Sequence, residues 1–101
     1  MDRPAFIDRL EANDVEFLDQ VRGLSNVLMT DGALPAKTKT LMTLFAEALL
    51  RRDDGVRLMG AVARNVGATE DEIKETVRLA FLLGGLSSLS SATMAYLPPK
   101  E

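Results

Sequence analysis

Four arginines, two adjacent aspartates, two methionines and a cluster of serines are the side chains whose type and spacing could do chemistry in this sequence. Arg51, Arg52, Arg57 and Arg64 could gather an anionic ligand, because planar guanidinium groups grip carboxylate or phosphate bidentately. Arg57 and Arg64 lie seven residues apart, on roughly one helix face. The competing reading pairs these arginines with Asp53, Asp54 or the acidic N-terminal third, in exposed ion pairs of small energetic value. Asp53 and Asp54 could act as acid and base; as adjacent acids ahead of a helix they also suit its positive end. Met59 and Met94 could line a soft apolar pocket or simply fill core. Ser87, Ser88, Ser90 and Ser91 have no neighbouring base to activate them and read as small residues for close helix packing.

Composition removes whole classes of function. The 101 residues contain no cysteine and no histidine. Thiolate nucleophiles, disulfides and the commonest general base and metal ligand are therefore missing, and no cofactor or metal site is expected. A formal net charge of -3 argues against nucleic-acid binding, which favours a basic stripe. The charge is uneven: residues 35–67 carry six Lys or Arg against three acids, and residues 1–34 carry three against seven. That asymmetry could draw an anion to the middle of the chain, or pair one subunit's middle with another's start. No apolar stretch follows Met1-Asp2-Arg3-Pro4, and no run approaches the ~20 residues of a membrane span, so no membrane partner and a cytoplasmic location are expected.

The elements that must position these groups are all helical. Six segments are predicted, with no strand pattern and no repeats, in a single domain over residues 1–101. A short first segment carries Phe6, Ile7 and Leu10 and runs to a cap at Asn13. The second bears Phe17, Val21, Leu24 and Leu28 as one stripe and stops before Asp31-Gly32. Pro35 opens the third, apolar nearly all round except for Glu47, which marks a helix packed on several sides. The fourth carries Val56, Met59, Gly60, Ala63 and Val66 and closes at Gly67 as a left-handed cap; Gly60 and Ala63 invite close helix approach. Thr69-Glu70-Asp71-Glu72 is a capping box opening the fifth, with Ile73, Val77, Ala80 and Phe81 at helical spacing, ending at Gly84-Gly85. Leu86 to Leu97 forms the last, stopped by Pro98-Pro99.

The stretch Asp31-Gly32-Ala33-Leu34-Pro35-Ala36-Lys37-Thr38-Lys39, then an apolar helix, a hydrophilic break, an amphipathic helix and Gly67-Ala68-Thr69-Glu70-Asp71-Glu72-Ile73, resembles the carboxymuconolactone decarboxylase and alkylhydroperoxidase D-like superfamily over residues 31–95. The resemblance implies an all-α, compact bundle of about six helices, and a homo-oligomer, trimer or hexamer, built around the central helices. Redox members place a Glu, two cysteines and a His where this chain has Thr40, Arg52, Gly55 and Met59. None of these can form a thiolate or relay a proton near neutrality, so peroxidase and disulfide reductase activity are excluded. The decarboxylase branch carries Arg-Leu-His where this chain has Arg57-Leu58-Met59, and a second His near Met94. Both imidazoles are replaced by thioethers.

These readings converge on an oligomeric helical module that has lost the recognised catalytic groups and binds a small apolar or anionic molecule. Thr40, Arg52, Gly55, Arg57, Met59 and Met94 are its pocket candidates. The alternative is a non-redox enzyme on a small carboxylated or lactone substrate, with Arg57, Asp53 and Asp54 as catalytic candidates.

Overall fold

In a computed structural model, residues 4–100 are described; Met1, Asp2 and Arg3, on which the absence of a leader was partly read, lie outside them. Five α-helices and a terminal 3-10 turn follow in order: α1 (Ala5–Asn13), α2 (Val15–Met29), α3 (Ala36–Leu49), α4 (Asp53–Asn65), α5 (Glu70–Ala92) and the turn Thr93–Tyr96. Among the described residues there is no strand. The count is five rather than six because the last two expected segments run on as α5, bent at Gly85. Gly85 has φ 74° and ψ −161°, a non-helical conformation open to glycine and closed to residues with a Cβ, so the helical backbone is interrupted where the sequence puts the break and two helical stretches meet there at a kink.

The core lies between α3, α4 and α5. Leu44 and Ala48 of α3, Val56 and Ala63 of α4, Ile73, Val77 and Ala80 of α5, and Ala92 and Ala95 beyond the bend form one buried cluster, against which Leu41, Phe45, Met59, Leu89 and Met94 pack. Thr40, Leu44 and Ala48 recur every four residues, which turns one face of α3 fully inward. Gly60 lets α4 lie against the 3-10 turn: a Cβ there would stand 2.9 Å from the Ala95 carbonyl oxygen.

Local signals hold the elements in register. Asp31 accepts a 2.6 Å hydrogen bond from the Ala36 amide and so caps α3. Lys39, one turn into α3, donates at 2.8 Å to the carbonyls of Leu28 and Thr30 and thereby caps the end of α2. The capping box is formed: Glu72 N–H donates to the Thr69 hydroxyl at 3.1 Å and Thr69 N–H to the Glu72 carboxylate at 2.8 Å. The cap between α1 and α2 is Asp14, whose carboxylate takes the Phe17 amide; Asn13 instead turns back to the Arg9 carbonyl.

α3 and α4 end in the same motif. After α4, Gly67 N–H donates to the Arg64 carbonyl and Ala68 N–H to that of Ala63, with Gly67 at φ 94°. After α3, Arg51 N–H donates to the Ala48 carbonyl and Arg52 N–H to that of Glu47, with Arg51 at φ 56°. The second is a Schellman cap with an arginine in the place that favours glycine.

Among the described residues, two apolar faces lack a partner. On α2, Leu18 is buried, while the expected stripe stays in water: Phe17 and Leu28 are exposed and Leu24 is 61% exposed. The stripe is real, but α2 touches little besides α1 and the start of α3. On α5, Leu79 and Leu83 are exposed, Leu82 is 72% exposed and Leu86, past the bend, 76%. By length and composition alone the run Glu70–Tyr96 is also apolar enough to cross a membrane, a test that the core helix of a globular protein passes as well. It passes because one face serves the core while the other is equally apolar.

Candidate functional site

A cavity of about 630 Å³ opens between the start of α1, the second half of α3 and the first half of α4. Its walls include Pro4, Phe6, Leu58 and Met59, with Thr43 and Glu47 contributed by successive turns of α3. Of the predicted pocket residues, Arg52, Gly55 and Met59 meet here. The hydrophilic break between α3 and α4 brings them together: the Schellman turn carries Arg52 back over α3, and Gly55 and Met59 follow one turn apart on α4.

The other predicted residues lie elsewhere. Thr40 is buried in α3, its hydroxyl donating to the Ala36 carbonyl at 2.8 Å. Arg57 donates to the Pro98 carbonyl and ties the C-terminal segment to α4. Met94 packs half-buried against the core. Asp53 is exposed in the first turn of α4; its neighbour Asp54 reaches the cavity wall and accepts from Lys100 at 2.7 Å. Among the described residues no group of three or more acidic side chains gathers closely enough to hold a metal ion.

Glu47 is the residue that sequence reasoning passed over as a mere interruption of an apolar helix. Its side chain is only 20% exposed and lies against Gly55 so closely that a Cβ there would overlap the carboxylate. Arg52 stands 3.5 Å away and is itself 63% exposed. The signal that could have found it is a lone carboxylate eight residues ahead of a glycine, in a helix whose last two turns carry no other charge.

The charge network at the other end of α4 is structural. Arg64 forks onto both carboxylate oxygens of Glu70 at 2.6 and 3.1 Å and donates to the Ala95 carbonyl at 3.0 Å. The hydrogen bond that Arg64 donates to Glu70 raises the Arg64 pKa, and the same bond lowers that of Glu70. Glu72 is also held below the usual carboxylate range, first by the Thr69 amide and then by Lys37, which stands 2.9 Å away. Lys37 thus joins the starts of α3 and α5.

The sequence pattern of the carboxymuconolactone decarboxylase family matches residues 16–97, most of the chain and more than the 31–95 read from the motifs. The chain belongs to the carboxymuconolactone decarboxylase family. Its fold is similar to the crystal structure, without ligand, of a carboxymuconolactone decarboxylase family protein from Legionella pneumophila. The match has a TM-score of 0.81 and 25% identity, covering 88% of this chain and 80% of that one. Comparison with curated proteins gives no match. This carboxymuconolactone decarboxylase family member carries no cysteine, so the thiol pair of the redox branch is missing outright.

Proposed function

We propose that this protein is a non-redox family member that acts as a homo-oligomeric small-molecule-binding module, with its ligand in the cavity between α1, α3 and α4. One observation carries the reading: Arg52, Gly55 and Met59, positions to which the family resemblance assigns chemistry, wall a common apolar cavity large enough for a small organic molecule. No thiol or imidazole replaces what was lost there, so retention fits the site better than redox turnover.

Self-association is supported by the bare stripes of α2 and α5. Each leucine moved from water into an apolar contact contributes about 1.5–3 kcal/mol, and a chain this small gains much from such burial. Native mass spectrometry of the purified protein reads both halves of the proposal. A multiple of the 11.0 kDa chain with a retained small molecule is expected. A bare monomer at tens of micromolar that takes up no added small molecule removes the reading.

A second reading, a non-redox enzyme on a small carboxylated substrate, is favoured by Arg9 and Arg52 at the cavity. It predicts turnover that Arg52→Ala abolishes. Arg57→Ala is expected to loosen the Pro98 segment without touching the chemistry.

A further inference from the structure

The charged groups around the cavity are not equally placed. Asp54 and Lys100 pair with each other at 2.7 Å, and Arg9 and Arg52 are exposed. Glu47 is the most enclosed of the five, and it is the one negative group that the cavity's own architecture makes room for. An alanine at Gly55 would be the better helix former, yet its methyl would overlap the Glu47 carboxylate. Thr43, one turn earlier on the same face of α3, directs its hydroxyl to the Lys39 carbonyl at 2.8 Å, leaving Glu47 as the polar anchor of that wall.

The 3.5 Å contact from Arg52 is long for a charge-assisted hydrogen bond, and its guanidinium lies largely in water, where such a pair is worth little. A cation seated inside the cavity meets the same carboxylate at shorter range and in a drier setting, where the attraction is stronger. We infer that the cavity accepts a small organic amine, its ammonium on the Glu47 carboxylate and its apolar body against Phe6, Leu58 and Met59. Arg52 then competes with the ligand for Glu47 and is displaced into solvent on binding. This inference rests on the cavity being the binding site proposed above, and it names the chemical class that site takes.

Calorimetric titration at neutral pH with three probes of one shape tests it: phenethylamine, 2-phenylethanol and phenylacetate. Phenethylamine is expected to bind best. Glu47→Gln, which keeps the side-chain shape, is expected to weaken it at least about tenfold, the usual worth of a hydrogen bond to a charged group. Gly55→Ala, which keeps the carboxylate but fills its berth, is expected to weaken amine binding as well. Arg52→Ala is expected to tighten the amine, since it removes the competitor. Preferred binding of phenylacetate, weakened by Arg52→Ala, overturns the inference while leaving the cavity a binding site. Unchanged amine affinity in Glu47→Gln overturns it too. If none of the three probes binds, the inference and the proposed binding function fall together.

Discussion

Arginines divide here by what their guanidinium groups touch. Arg64 is spent on Glu70 and Ala95, Arg57 on Pro98, and only Arg52 of the predicted set comes to the cavity. Sequence could place all of them near α4, because spacing along a helix is local. It could not say which carbonyls would compete for them, because Pro98 is 41 residues from Arg57. Glu47 was missed for the same reason, since its meaning depends on Gly55 across a turn. The acidic residues give a pH prediction. Glu70 and Glu72 have native pKa values below the ordinary glutamate value of about 4.3, so their stabilising contribution is full above that pH and is lost as pH falls through the lowered native values. Circular dichroism across an acid titration should show Glu72→Gln less stable than wild type at neutral pH, with the difference shrinking below about pH 4. A constant difference down to pH 2 would refute the assignment.

At the scale of elements, most of what was legible was punctuation. The Thr69 capping box, the Gly67 cap, the break at Gly84-Gly85 and the opening of α3 at Pro35 are carried by few adjacent residues, and the fold uses each of them. The Asp31 to Lys39 stretch has a physical content beyond its resemblance: its first residue caps α3 and its last caps α2. The end of α3 was legible only as a hydrophilic break, because the residue that takes the left-handed conformation is Arg51 and not glycine. A non-glycine residue there costs about 1–2 kcal/mol, partly offset by the greater chain entropy glycine loses on folding. Arg51→Gly is therefore expected to stabilise the protein by roughly 0.5–1 kcal/mol in denaturant unfolding. A destabilisation would mean that the Arg51 side chain makes a contact worth more than the strain.

For the whole molecule, amphipathic spacing told that α2 and α5 have apolar faces but not that those faces stay bare. Period alone cannot distinguish a face turned to the chain's own core from one turned to another copy. The radius of gyration, 14.0 Å, exceeds the roughly 13 Å of a compact chain this long, as expected if α1 and α2 stand off the α3 to α5 core. Leu82→Glu with Leu86→Glu places two charges on the α5 face and leaves every buried core position untouched. Light scattering is expected to show the pair as monomers of unchanged helix content. An unaltered mass would move the interface elsewhere, and retention of the wild type on neutral lipid vesicles would assign the face to a bilayer instead.

The thin attachment of α2 to the rest of the chain has a kinetic corollary. Asp14 caps its start by taking the Phe17 amide, Lys39 caps its end by donating to the Leu28 carbonyl, and few contacts hold it besides, so α1 and α2 are expected to open as a unit without disturbing the remainder. If neighbouring copies cover the stripe of Phe17, Leu24 and Leu28, hydrogen exchange in that first third slows as the protein is concentrated, while exchange in α3 and α4 does not change. Dilution would then act on this region as a selective denaturant.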